Sequence, residues 1–302
     1  MKISGLKDNK FANVFAFSSF WAAAMILSKL GINMGAHPIS YLIEASFVSL
    51  LVLTVYVGLY KRPDLKATTP RTVGILVLLN IIGAVATILT NIGYTMTSAV
   101  NIGFLGKFTL VTTLVMARLV LGEKMNLSKI VAAFVMLLGV FFMTTQGRGF
   151  IPQKGDIFLL TACVGLSANS VFIKKMFANI TLSGVIVSFY RILVRLVFIF
   201  GFSLFVGVLL SKYSDVFSFE FLPLNMLWLV VLRGIVSAGS IVFLYRSLKV
   251  ATASYTTMMS MMTPVMVSVV AILFMGEYIS FWQMLGGGLI LLSGVVTHYL
   301  KV

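Results

Sequence analysis

Apolar stretches of about 20 residues, separated by short polar breaks, follow one another along the whole chain. About 20 apolar residues in a helix cross a ~30 Å hydrocarbon core. None of the stretches alternates with the period of two that a barrel strand requires. The breaks predict ten spans, at 12–30, 40–60, 71–92, 98–121, 126–145, 156–175, 183–210, 225–247, 253–275 and 279–300. Helix breakers sharpen several edges: Pro38, Lys61-Arg62-Pro63-Asp64, Pro70, Gln146-Gly147-Arg148-Gly149 and the stretch from Ser211 to Pro223. Thr95-Met96-Thr97-Ser98 alone separates spans 3 and 4, the softest cut. Met1 to Lys10 is short and basic, and the apolar run behind it has no small-residue cleavage site, so a retained first helix is expected rather than a signal peptide.

Composition turns this pattern into a class. Of 302 residues 60% are hydrophobic and 10% charged, and the mean hydropathy is +1.06. Soluble chains carry about 25% charged residues, so this chain has too little polar surface for an ordinary soluble enzyme, a disordered chain or a nucleic-acid-binding protein. An all-α integral membrane protein is expected. The net charge of +15, from 23 basic and 8 acidic residues, then reads as topology. With the N-terminus in the cytoplasm, 14 Lys and Arg fall in inner loops and 4 in outer ones, namely Lys29, Arg148, Lys154 and Lys212. This bias places both termini in the cytoplasm and favours an even number of spans. Five basic residues remain inside spans: Lys107, Arg118, Arg191, Arg195 and Arg233.

The second half echoes the first. Leu121-Gly122-Glu123 follows span 4 as Met275-Gly276-Glu277 follows span 9, and each Glu stands 24 residues after an alanine that opens the span, Ala99 or Ala253. A further span follows each Gly-Glu pair, with Leu138-Gly139-Val140 in one and Ser293-Gly294-Val295 in the other. Five spans per half is odd, so the halves, 1–150 and 151–302, are expected to enter the membrane from opposite sides. That is the inverted repeat on which many secondary transporters are built.

These segments, with Trp21-Ala22 and Lys29 in span 1 and Pro264 in span 9, resemble the EamA-type transporters of the drug/metabolite transporter superfamily over nearly the whole chain. The resemblance implies export or exchange of amino acids or other small metabolites, through a central cavity lined by spans 1, 3, 4, 6, 8 and 9. Two positions depart from the family's pattern. Leu110 stands where the first repeat often has the counterpart of Pro264, so span 4 is expected to be straighter than span 9. Glu44 stands where span 2 often carries Arg, while Arg191 keeps that residue in span 7.

A charge at a helix centre costs ~2.5–3.5 kcal/mol on insertion scales and therefore faces a cavity or a partner. Lys107 and Arg233 are the deepest, and either contact substrate or form an ion pair with Glu44, the one acid in the interior of a span, which is also placed to meet Lys29. Lys107 and Arg118 are 11 residues apart and Arg191 and Arg195 four, so each pair shares a helix face. If those faces meet one space, a cationic stripe runs towards the cytoplasm. Alternatively Arg118 snorkels, and Arg191 and Arg195 do so too or bind lipid head groups. Asn80, Asn101, Ser237, Tyr255, Trp21 and Phe104 complete the substrate-site candidates, and Glu123, Glu277 and Pro264 are candidate gates or structural caps.

The expected function is a secondary transporter with alternating access for a small organic solute, foremost an amino acid or related carboxylate. The second reading is an exchanger of phosphorylated metabolites of sugar-phosphate or nucleotide type. The third is a structural or lipid-scrambling bundle. A Lys107–Arg233 pair without Glu44 would favour phosphate, and a pair neutralised by Glu44 a zwitterion. The chain offers no nucleophile–acid–base set, and Cys163, His37 and His298 stand at no metal-ligand spacing. No enzyme activity, metal or cofactor is therefore expected. Partners are expected to be the solute and membrane lipids, not nucleic acid, with the chain a monomer or homodimer in the plasma (inner) membrane.

Overall fold

Several helices start or stop where the sequence gives a local reason. In the computed structural model, residues 9–147, 149–209, 219–275 and 278–299 are described. They form α1 (Lys10–Asn33), α2 (Pro38–Tyr60), α3 (Pro70–Thr95), α4 (Ala99–Leu105), α5 (Thr109–Leu121), α6 (Leu127–Thr145), α7 (Asp156–Asn179), α8 (Gly184–Leu209), α9 (Leu227–Val250), α10 (Ala253–Ser260), α11 (Thr263–Met275) and α12 (Phe281–Tyr299), with a five-residue helix, Arg62–Lys66, after α2. The side chains of Asn9, Thr69, Ser98 and Thr252 accept the N–H three residues on and cap α1, α3, α4 and α10. Gly122 ends α5 at φ 66°, a left-handed conformation that favours glycine. No strand occurs among the described residues.

Among the described residues, nine helices are long and apolar enough to cross a membrane, with α4 and α5 counted as one. Large apolar side chains such as Leu119 and Leu127, 77% and 76% exposed, face outward from the bundle. In water such a surface would be untenable; it is the surface lipid requires. The chain is a multi-pass membrane protein. The expected ninth span, 253–275, is not among the nine: the chain there forms two shorter consecutive helices, α10 and α11.

Span 4 departs from expectation. It has no proline, yet a 3-10 turn at Gly106–Phe108 interrupts it between α4 and α5. Side chains take up the carbonyls there: Thr109 Oγ1 donates to Gly106 O at 3.0 Å, Thr112 Oγ1 to Phe108 O at 3.2 Å, and Cys163 Sγ approaches Leu105 O at 3.3 Å. The break thus rests on side-chain capping rather than on a missing N–H. Ala99 and Ala253, like Glu123 and Glu277, are 154 residues apart. By that offset the turn falls opposite Met261-Met262, where the second repeat breaks just before Pro264, the second residue of α11.

The packing is symmetric about the middle of the chain. α1 lies against α9 as α7 lies against α3, α2 against α9 as α8 against α3, and α11 and α10 against α1 as α5 and α4 against α7. The self-related pairs α2–α8 and α6–α12 also meet, and α5 touches α10. Two structurally related halves give this pattern.

The α6–α12 seam depends on two glycines. A Cβ on Gly286 would lie 2.3 Å from Gly139 O, and one on Gly139 would lie 2.6 Å from Gly286 O. Backbone cannot yield as a side-chain tip can, so Gly286→Val forces the helices apart. Overpacking of this kind costs about 1–3 kcal/mol. The expected result is a lower melting midpoint in detergent, whereas Gly288→Ala, which faces open space, leaves it unchanged.

Candidate functional site

The deep basic residues do not form one stripe. They separate into an arginine group between α2, α3, α7, α8 and α9, and a lone lysine on the broken fourth span. Arg191 and Arg195 point from α8 as the four-residue spacing predicts. Arg191 Nη1 donates to Tyr245 Oη at 2.8 Å and to Asn169 Oδ1. Asn169 Nδ2 in turn donates to Leu79 O at 2.7 Å and reaches Asn80 Oδ1 at 3.5 Å. Arg195 Nη2 donates to Ser46 Oγ at 3.1 Å. Arg233 lies 4.2 Å over the ring of Tyr41, whose hydroxyl is anchored on Leu27 O at 3.0 Å. Arg191 and Arg233 are both within electrostatic reach of Arg195.

Three guanidinium groups thus share one region with neutral partners. The ion pairs among the described residues are Lys61–Asp64 and Lys129–Glu123, and neither is here. Glu44 does not neutralise the group as considered above: its Oε1 accepts the Leu222 N–H at 2.8 Å. That backbone bond holds the carboxylate at the α8–α9 connection. Arg191 Nε, Arg195 Nε and Asn80 Nδ2 are buried without a hydrogen-bond partner among the described residues. Unused donors on buried cations are costly, and Arg presents them in the planar fork that fits carboxylate or phosphate. All three arginines keep part of their surface accessible. The group can therefore take an anion.

Lys107 sits in the 3-10 turn, half-buried, with no hydrogen bond or ion pair among the described residues, and Cys163 lies within its electrostatic reach. Its turn packs on α6 and α7, so Lys107 and Arg233 are not brought into one pair. Arg118 is exposed, with Nη1 at 3.5 Å from Glu123 O, the snorkelling arrangement.

The other candidates scatter. Asn101 is a latch: its Nδ2 donates to both carboxylate oxygens of Asp156, at 3.1 and 3.0 Å, and Thr97 Oγ1 donates to Oδ1 at 2.5 Å. Asp156, which also accepts Gln153 N–H at 2.8 Å, was hidden from sequence reasoning at the span edge, although an acid at a helix start is a recognisable cap signal. Phe104 packs edge-on against Phe108 and Phe141. Tyr255 is buried, its hydroxyl 2.9 Å from His298 Nδ1 and its ring under Lys10. Trp21 is 38% exposed on α1 beside Phe17. Ser237 is half-buried on α9, its carbonyl accepting Ser240 Oγ at 3.0 Å.

Glu123 ties the two repeats together. Its Oε1 accepts Ala253 N–H at 2.8 Å, and Oε2 accepts Ser254 N–H at 3.2 Å and Ser254 Oγ at 2.5 Å. The carboxylate therefore caps α10 from the end of the opposite repeat's broken helix. Glu277 lies outside the described residues.

Two tandem stretches, 11–145 and 153–298, match the EamA-like transporter family. The chain belongs to that family. EamA-like proteins are membrane transporters of small solutes, and this one carries both repeats. No curated protein matches the sequence. A solved structure described as a crystal structure of a protein superposes with a TM-score of 0.70, covering 94% of this chain and 96% of that one at 16% identity. It shares the fold.

Proposed function

We propose that this EamA-like protein is a secondary transporter that works by alternating access and carries a small organic anion bound by Arg191, Arg195 and Arg233. The supporting observation is three arginines inside the bundle with neutral partners and two buried, unused Nε–H groups. A purely structural or lipid-scrambling bundle would gain nothing from that arrangement. Amino acids and related carboxylates remain candidates on family grounds. Among the described residues the arginines form no ion pair with Glu44 or any other carboxylate, which favours a phosphorylated solute over a zwitterion, whose ammonium would lack a partner there. Alternating access would use the two broken spans, with Glu123 latching one end. The bias of basic residues supports both termini in the cytoplasm, and residence in the plasma (inner) membrane is part of the same proposal.

Proteoliposomes loaded with amino acids, dicarboxylates and phosphorylated sugars or nucleotides separate these classes. Counterflow of a phosphorylated solute is expected, and transport restricted to cations or neutral solutes would overturn the reading. Glu44→Gln is expected to leave the pH dependence of that transport unchanged, because its carboxylate serves the Leu222 amide and not the arginine group.

A further inference from the structure

The end of the molecule that carries the Glu123 latch also holds a cavity of about 350 Å³, bordered by Lys10, Glu123, Lys124, Lys129, Thr252 and Tyr255. Its charges do not balance. Lys129 is 3% exposed, yet its ammonium has only long contacts, 3.4 Å to Lys124 O and 3.9 Å to Glu123 Oε2. The Glu123 oxygens are already engaged by three donors on α10. Lys10 lies 4.7 Å over the Tyr255 ring, Lys124 stands exposed at the rim, and Lys174 is within electrostatic reach of the same carboxylate. A buried ammonium with so little compensation is costly unless an anion supplies more.

We propose that this cavity is a second anion site, separate from the arginine group, which takes a phosphate group through Lys10, Lys124 and Lys129. Its walls come from three places that must move relative to one another if the latch opens: the start of α1, the α5–α6 turn and the α9–α10 turn. A phosphate held there ties these elements together and favours the latched state. Two sources present this chemistry, the head group of an anionic phospholipid and a soluble phosphate, and a basic pocket at the end of a helical bundle suits either.

The test uses purified full-length protein, with inorganic phosphate and a short-chain phosphatidylglycerol as probes and short-chain phosphatidylcholine as the neutral control. Affinity is read by native mass spectrometry and by the shift in melting midpoint. At least one phosphate probe is expected to bind and raise the midpoint. Lys10→Gln/Lys124→Gln is expected to weaken it by about 30-fold, the worth of two basic residues against an anionic head group. Lys66→Gln/Arg71→Gln removes the same charge from exposed positions outside the cavity and is expected to leave binding within about twofold. Binding by phosphatidylglycerol alone identifies the lipid source, and displacement of it by inorganic phosphate identifies a site open to soluble anions. Equal loss in the two double variants, or no binding of either probe to the unmodified protein, overturns the proposal. Solute transport with an intact arginine group is a separate readout, so failure here leaves the transport reading standing.

Discussion

Arg191→Ala is expected to reduce solute transport by about 30-fold or more, while Arg191→Lys recovers only a small part. The magnitude follows from the typical cost of truncating one partner of a buried charged contact, 2–5 kcal/mol, with 1.4 kcal/mol for each tenfold. The fold itself is expected to survive. The partners that Arg191 leaves behind, Asn169 Oδ1 and the Tyr245 hydroxyl, are neutral and already 3.5 Å from each other, so they can close into a direct bond. No carboxylate is stranded. Melting in detergent should therefore change little where transport collapses. Arg191→Lys separates charge from geometry, because an ammonium keeps the charge but cannot offer the planar fork. Arg233→Ala gives a second reading at the same group, through a residue held on the Tyr41 ring instead of in a hydrogen-bond network. Normal transport by both alanine variants would sink the site.

The arginine group shows where sequence reasoning reaches and where it stops. A guanidinium inside an apolar run is visible in the sequence, and the four-residue spacing of Arg191 and Arg195 places both on one face. Which helices that face meets is a matter of packing. Tyr41 and Ser46 on α2 enter the group only through the α2–α8 and α2–α9 contacts, and neither stands out in an apolar span. The proposed stripe through Lys107 and Arg118 fails for a local reason. Its 11-residue spacing presumes a regular helix, whereas Lys107 sits in a 3-10 turn and Arg118 turns out to the surface. The turn itself is sustained by Thr109, Thr112 and Cys163 side chains, residues with no individual signature. The span edges, by contrast, lie close to the predicted breaks because proline, caps and loop charges act on their immediate neighbours.

Glu123→Ala is expected to unlatch the end of the bundle where the two broken spans meet. Three donors on α10 rely on its carboxylate: the Ala253 and Ser254 amides and the Ser254 hydroxyl. A hydrogen bond to a charged group contributes about 1.5–3 kcal/mol net, and loss of an N-terminal cap costs about 0.5–2 kcal/mol. Loss of the whole contact by about 2–3 kcal/mol corresponds to a change of about 30–150-fold in the opening equilibrium. Hydrogen exchange reads this directly, since amides at 253–255 should lose protection by that factor while those in the middle of α7 keep theirs. Transport should fall as well, because a ligand-driven cycle needs two states of comparable stability. Glu123→Gln, which retains one acceptor oxygen but no charge, is expected to fall between the two. By the 154-residue offset, Glu277 stands in the second repeat where Glu123 stands in the first, as Ala253 and Ser254 stand where Ala99 and Val100 do. A gate predicts that Glu277→Ala, added to Glu123→Ala, moves exchange at 253–255 back towards the unmodified level by weakening the competing state. A cap of purely structural value predicts that the second substitution leaves those amides where the first put them. That outcome, with transport unaffected by Glu123→Ala, would reduce Glu123 to a helix cap.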